Sequence, residues 1–330
     1  KVVKTRRQDN NEKQEKIEVS RMIQEMKSHK SPGENGIPAE LLKIGAEQLT
    51  KRIYQLILRI WQEEITPKGW NSAIICPIFK KGDKTECENY RGIAILDVVY
   101  KILAKIIRTR LREYTTQTIG EYQGGFRAGR STIDQIFTLK TIQNSSYEQN
   151  LSLHILFIDF KQAYDSIDRN MLYEAMEKLE IPRKLIRLVK MTLQNTSNKI
   201  ILEGNMSREF LVRKGLRQGD PLSSDLFNVV LEDIIRESTI QTNGLIYHHK
   251  KQCIAYADDV ALLTRSRKEL ERTFKQFEKE ARKYGLVVNE QKTKYMEMNT
   301  DDVKEDRYIK LKTDKKEYKI EKVNKFTYLG

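Results

Sequence analysis

Ile254-Ala255-Tyr256-Ala257-Asp258-Asp259-Val260-Ala261-Leu262-Leu263 sets two adjacent carboxylates between two apolar runs. Like charges on short side chains repel, and burying them beside Val and Leu raises at least one pKa unless a cation offsets them. The flanks read as two short buried strands, with the Asp pair at or near the turn between them. Such a hairpin holds both carboxylates at a fixed point on a rigid sheet, as a divalent metal site requires.

Working outward, Leu151 to Phe160 is a nearly continuous apolar run of strand length, broken near its end by Asp159. If the two segments are neighbours in one sheet, Asp159, Asp258 and Asp259 converge. Adjacent Asp residues are common in ordinary turns; the apolar flanks and the third Asp at a strand end weigh against that reading. A cluster of hard oxygen ligands suits Mg²⁺, and no His or Cys stands nearby in sequence to favour zinc. Two such ions about 3.5–4 Å apart serve in-line phosphoryl transfer.

Phosphoryl transfer also needs cations aimed at the phosphates. Lys80, Lys81 and Arg91 flank a loop, and Arg127 and Arg130 lie in Phe126-Arg127-Ala128-Gly129-Arg130. Each of them alone also reads as solvated surface charge. Gly215-Leu216-Arg217-Gln218-Gly219-Asp220-Pro221 is either a loop whose backbone approaches a base or sugar, or an ordinary helix-entry turn. His29, His154, His248 and His249 show no ligand spacing and no partner acid.

Composition narrows the partners. With 330 residues the chain can build a substantial core and two subdomains. Its 60 Lys and Arg against 46 Asp and Glu leave a formal charge of +14, which favours a polyanion, nucleic acid first and an acidic membrane surface second. Cys76, Cys87 and Cys253 are widely spaced and form no C-x-x-C pair, which disfavours a disulfide framework or structural zinc and fits a reducing compartment. No apolar run approaches the roughly 20 residues needed to span a bilayer, and no signal peptide is visible; no membrane partner is expected. The chain opens on Lys1 and reads as a piece of a longer protein.

Residues 1–30 form a basic lead-in, of which 1–16 lack periodicity while Ile17, Met22, Ile23 and Met26 fit one helical face. A helical pattern covers about 39–64, with Leu49, Ile53, Leu56, Ile57, Ile60 and Trp61 on one side. Ala73 to Phe79 reads as a strand, and Val98, Val99, Ile102, Leu103, Ile106 and Ile107 mark a basic helix. Asp168 is the expected N-cap of a helix to about Leu179. Lys199–Glu203 and Glu209–Arg213 suggest a hairpin, and Asp220-Pro221 the cap and first turn of a helix through Glu237. A charged helix at Arg267–Tyr284, the stretch Thr293–Met298 and a Tyr308–Ile320 hairpin complete the pattern. Interleaved strands and helices favour an α+β or split βαβ core.

Several longer motifs stand in a fixed order: Ser31-Pro32-Gly33; Pro77-Ile78-Phe79-Lys80-Lys81-Gly82-Asp83 with Asn89-Tyr90-Arg91-Gly92-Ile93; Tyr122-Gln123-Gly124-Gly125-Phe126-Arg127-Ala128-Gly129-Arg130-Ser131; Phe157-Ile158-Asp159-Phe160-Lys161-Gln162-Ala163-Tyr164-Asp165-Ser166; Arg217-Gln218-Gly219-Asp220-Pro221-Leu222-Ser223; Tyr256-Ala257-Asp258-Asp259; and Phe326-Thr327-Tyr328-Leu329-Gly330. Together they resemble the reverse transcriptase domain of non-long-terminal-repeat (LINE-like) retrotransposons, in particular the RTE-like group. The resemblance covers nearly the whole chain. Asn35 and Ser224 depart from it, where relatives often carry Asp and Pro; neither touches the three acids, so template handling rather than chemistry is put in question.

The resemblance implies an α+β right-hand polymerase: fingers with the start of the palm at 31–150, and a split βαβ palm with antiparallel sheet at 151–330. The palm ends at the primer grip, with the thumb absent or truncated. Asp159, Asp258 and Asp259 match the family's metal-binding triad, with the backbone carbonyl of Phe160 as a further ligand for two Mg²⁺, or Mn²⁺ in their place. Lys80 and Arg91 match fingers positions on the incoming triphosphate, and Gln218 and Gly219 a loop beside nucleotide and template. Tyr164 matches the aromatic under the nucleotide sugar, where it would collide with the 2′-OH that distinguishes RNA precursors. Lys292 matches the general acid for pyrophosphate departure and reads equally well as a surface lysine.

The expected activity is RNA-directed DNA synthesis from a DNA 3′-OH, with an RNA template, a DNA primer and dNTPs as partners. An endonuclease domain and a thumb are expected in the full-length protein. Its expected location is nuclear at integration and cytoplasmic when bound to its RNA. The rivals are an RNA-binding domain that has lost polymerase activity and an RNA-dependent RNA polymerase with the same palm.

Overall fold

The computed structural model describes residues 16–240, 251–299 and 307–329. The charged residues of 1–15, His248, His249 and Gly330 lie outside them. In chain order the elements are a helix at 16–24 (α1), α2 Ala39–Ile44, α3 Ala46–Glu63, β1 Ser72–Phe79, β2 Tyr90–Ile95, α4 Val98–Thr118, α5 Thr132–Glu148 and β3 Leu153–Ile158. There follow α6 Ala163–Ser166, α7 Arg169–Lys178, α8 Arg183–Leu193, β4 Thr196–Leu202, β5 Asn205–Met206, β6 Phe210–Val212 and α9 Ser223–Glu237. Last come β7 Lys251–Tyr256, β8 Asp259–Thr264, α10 Arg267–Lys283, β9 Lys294–Met298, β10 Tyr308–Lys312 and β11 Glu317–Lys322.

The chain divides into two compact units, each discontinuous in sequence: Lys1–Arg112 with Ile181–Ser223, and Glu113–Glu180 with Ser224–Gly330. The expected linear division at 30/31 and 150/151 does not coincide with these units, because Ile181–Ser223 adds its strands to a sheet begun a hundred residues earlier.

In the first unit, β1 pairs antiparallel with β2 and parallel with β4, which carries β5 and β6. Val19, Met22 and Ile23 of α1, with Met26 just beyond it, are buried while Ile17 is exposed, so the helical face foreseen there forms without its first member. The pattern at 39–64 is two helices rather than one. The chain breaks at Gly45, and Ile53, Ile57 and Ile60 are buried while Leu49 and Leu56 keep about a third of their surface.

In the second unit, six strands run in the order β10-β11-β9-β3-β8-β7. Strand β3 is buried along its whole length, as a strand covered on both faces must be. Leu153, Ile155 and Phe157 point to one face and meet Leu139 and Ile142 of α5, with Ile254, Ala261 and Leu263 beside them. On the other face α10 buries Leu270, Phe274, Phe277 and Ala281, a stripe at helical spacing; Phe277 lies 6.1 Å from Phe160. Asp168 caps α7 by accepting from the Asn170 and Met171 N–H groups, as its position before the apolar periodicity requires. No helix among the described residues is long and apolar enough to cross a membrane.

Candidate active site

The register of the second sheet brings the carboxylates together. Strand β3 pairs antiparallel with β8, and the last pair is Ile158 with Val260. One step further along the same ladder, Asp159 stands opposite Asp259. Both side chains share the sheet face of Phe157 and Ala261, because residues two apart in a strand point the same way. Strands β7 and β8 close with Tyr256 opposite Asp259, leaving Ala257-Asp258 as a two-residue turn. Ala257 sits at φ +56°, a left-handed conformation that costs a residue with a Cβ roughly 1–2 kcal/mol. Burial and then the charges of Asp258 and Asp159 push the Asp259 carboxyl up to about 6, although the residue as a whole is exposed.

On the opposite edge of β3, pairing with β9 runs to Phe157–Lys294 and resumes at Phe160–Val288. Residues 289–293 therefore bulge out opposite Asp159. The bulge is anchored by the Asn289 N–H donating to the Asp159 carbonyl at 2.8 Å and the Asp159 N–H donating to Thr293 Oγ1 at 3.3 Å. Lys292 stands exposed on it. The Lys161 N–H donates to the Val287 carbonyl at 2.8 Å, so Phe160 and Val288 are a non-hydrogen-bonded pair. The Phe160 carbonyl consequently faces the other edge, the side of β8 and Asp259. Tyr164, on α6, stacks on Phe227 at 4.8 Å and 19°, with its hydroxyl closed off from solvent. Burial, and then Asp258 and Asp225, hold that phenol well above its ordinary range. Phe157 stacks on Phe326 at 4.4 Å and lies 5.4 Å from Tyr328, so the C-terminal aromatic motif covers the same sheet face two residues from Asp159.

Lys80, Lys81, Arg91, Gln218 and Gly219 lie in the first unit, Arg127 and Arg130 in the second. Arg91 pairs with Ile78, and the Lys80 N–H donates to the Asn89 carbonyl at 2.8 Å. Lys80 and Arg91 are thus diagonal neighbours on one face of the β1–β2 hairpin, both exposed, with Lys81 exposed beside them. The Gln218 carbonyl accepts from the Ala94 N–H at 2.7 Å, three residues beyond Arg91. Gly219, at φ +109°, lies so close to that strand that a Cβ would meet the Ala94 oxygen at 2.6 Å. Next to this loop, Arg217 is buried against the Tyr100 ring, 4.9 Å away, and its Nη2 donates to the Tyr100 hydroxyl, the Thr192 carbonyl and Asp220. Tyr100 in turn donates to Asp220. Asp220 Oδ2 is occupied as a counter-charge while its Oδ1 accepts the Leu222 N–H at 3.0 Å, so the residue still caps the entry to α9, which starts at Ser223, later than the expected first turn at Pro221. Arg127 and Arg130 are engaged locally: both pair with Glu121, and Arg127 also donates to the Gly120 carbonyl at 2.7 Å.

No motif pattern gives a task to Gln123, which is fully buried and bonded to both the N–H and the carbonyl of Ala257. Its only sequence signal is a polar residue between Tyr122 and two glycines. Asp97 was passed over as well; its carboxylate accepts the Asn35 N–H at 3.4 Å, and Gly33 packs so close that a Cβ would meet it.

Among the described residues no group of three His, Cys, Asp or Glu side chains forms a ready-made metal cage. The donor set nevertheless fits magnesium, which is commonly held by one or two carboxylates together with substrate phosphates. The upward shift of Asp259, by burial first and then by its acidic neighbours, is one that a bound divalent cation would oppose.

Comparison with known proteins bears on the family and the fold. A family profile described as reverse transcriptase (RNA-dependent DNA polymerase) matches residues 78–330. The 149 kDa protein of transposon TX1 from Xenopus laevis is 25% identical over 77% of this chain. A probable RNA-directed DNA polymerase from transposon BS of Drosophila melanogaster is 29% identical over 75% of it, and that from the mobile element jockey of the same fly 27% over 78%. The chain spans 20% of the first relative's length and 28% of each of the other two. Among solved structures, apo telomerase from Candida tropicalis superposes with a TM-score of 0.54 at 12% identity, covering 82% of this chain and 64% of that one. At that identity the likeness concerns the fold, an α+β polymerase hand of fingers and palm. Two acids aligned by strand register with a third in the adjoining turn, within a chain matched over most of its length, lead to one assignment: the chain belongs to the reverse transcriptase family, in the form carried by non-long-terminal-repeat retrotransposons.

Proposed function

We propose that this chain is an RNA-directed DNA polymerase domain that extends a DNA 3′-OH on an RNA template with dNTPs. The observation that carries the reading is the β3–β8 register, whose last pair Ile158–Val260 sets Asp159 and Asp259 next to each other, with Asp258 in the adjoining turn. These three side chains, with the Phe160 carbonyl, would hold two Mg²⁺. Bound there, magnesium would lower the pKa of the attacking hydroxyl and offset the charge of the leaving pyrophosphate. Lys292, exposed on the bulge opposite Asp159, would donate a proton to that pyrophosphate. Tyr164, immobilised by its stack on Phe227, would meet a ribose 2′-OH and so select deoxynucleotides. Lys80 and Arg91 on one hairpin face would bind the triphosphate, and Gln218 with Gly219 the nucleotide and template.

In this reading the first unit is the fingers and the second the palm. The template, the primer, an accompanying endonuclease and nuclear action at an integration site are proposed on the family's pattern; the +14 charge supports a nucleic-acid partner.

Primer extension on poly(rA)/oligo(dT) with Mg²⁺ tests the proposal. Template-dependent synthesis by the parent, lost in Asp258→Asn, is the expected result. RNA binding without extension by the parent would favour an RNA-binding domain instead.

A further inference from the structure

The turn bearing Asp258 is clamped from outside its own hairpin. The Gln123 Oε1 accepts the Ala257 N–H at 2.9 Å, and its Nε2 donates to the Ala257 carbonyl at 3.3 Å. The same Oε1 accepts the Gly125 N–H at 2.7 Å, and the Gly125 carbonyl accepts from buried Asn228 Nδ2 at 2.9 Å. Main-chain bonds seat this segment against β7: Ala255 N–H to the Tyr122 carbonyl at 2.9 Å, and Gly124 N–H to the Ala255 carbonyl at 2.8 Å. The fit leaves no slack, since a Cβ on Gly125 would meet the Ala257 nitrogen at 2.2 Å.

The chemistry suits the position. Ala257 adopts a backbone conformation that its Cβ disfavours, so the turn needs external restraint to keep a single geometry. A carboxamide can accept from an N–H and donate to a carbonyl of one residue while staying neutral. A Glu in its place would add a fourth acid beside three and lose the donor.

We propose that Gln123 is a positioning residue, whose clamp on Ala257 sets the aim of Asp258 and thereby the strength with which this site holds a divalent cation. The consequence for catalysis rests on the polymerase reading; the clamp and its effect on cation affinity do not.

Gln123→Met keeps the length of the side chain and removes all three bonds. Mn²⁺ titration followed by electron paramagnetic resonance should show affinity about 10–100-fold weaker than the parent's, the usual effect of losing a group that orients a ligand. Amide exchange in peptide 253–262 should accelerate, and extension activity should recover as Mg²⁺ is raised. Asn228→Ala, which withdraws support only from Gly125, should weaken Mn²⁺ several-fold, and it decides the matter if Gln123→Met does not fold. Parent-like Mn²⁺ affinity and exchange in the variants, or no Mn²⁺ binding by the parent, overturns the proposal. Weakened Mn²⁺ binding in a chain whose parent extends no primer would uphold the clamp and overturn the polymerase reading instead.

Discussion

Two clusters of charge in this chain are built on opposite principles. Arg217, Tyr100 and Asp220 in the first unit close on themselves: the guanidinium meets the carboxylate at 3.3 Å, the phenol bridges them, and the charges cancel. At the carboxylate turn of the second unit, like charges add, and Asp259 is pushed up to about 6 by burial and by its two acidic neighbours. A self-cancelling cluster serves as scaffold, here for the Gln218-Gly219 loop beside it. A cluster of like charges gains from an added cation instead, and its value lies in what it can bind.

The contrast breaks most visibly at Arg217. Arg217→Met should lower stability by about 3–5 kcal/mol, because it strands Asp220 in the interior; urea unfolding measures this, and a loss below about 1 kcal/mol would mean the knot is not scaffold. At the turn the expected pattern is inverted. Asp159→Asn should reduce primer extension by about 10²–10³-fold while leaving the unfolding midpoint unchanged or raised. Equal losses of stability at both clusters would erase the distinction between them.

A smaller effect concerns Tyr164, whose ring is held by Phe227 rather than by charge. Tyr164→Ala should raise ribonucleotide incorporation relative to deoxynucleotide by about 10–100-fold, read by competitive single-nucleotide extension. Unchanged discrimination would remove the residue from the sugar-facing role. The smallest effect is on pH. A carboxyl at about 6 in the folded chain, against an ordinary 3.8, binds its proton more tightly when folded, so its contribution to stability is lost as pH rises from about 4 to about 6. Metal-free chain should melt about 1–2 °C lower across that window, and Asp259→Asn should flatten the trend.

Much of this was legible because the decisive segments are apolar and local. The hairpin from Ile254 to Leu263 and the strand ending at Asp159 follow from runs of buried residues, and the Asp168 cap from its place before a periodic segment. Helix α5 escaped notice although Ser131 and Asp134 form a capping box, because Ile133 and Phe137 are exposed while Gln135 and Ser146 are buried, which blurs the apolar stripe. In α8 the preceding Pro182 read as punctuation when it is the N-cap residue. Gly45 interrupts a helical pattern that periodicity alone carries straight through. The motif around Gln123 gives no sign of its task, since its partners are main-chain atoms, those of Ala257 lying 134 positions away. Pairings between distant segments, such as β1 with β4, are likewise invisible to any window of neighbouring residues.

That last pairing governs how the chain can be made. Ser72 lies beside Ser197, so the opening sheet stays unfinished on the ribosome until some 125 further positions have been synthesised. During that interval an unpaired edge containing Ile74 and Ile75 is exposed to other nascent chains, a window in which chaperones are needed. No single cut can liberate either half intact, because the backbone passes from one to the other after Arg112, Glu180 and Ser223. Expression trials should therefore co-express pieces rather than truncate.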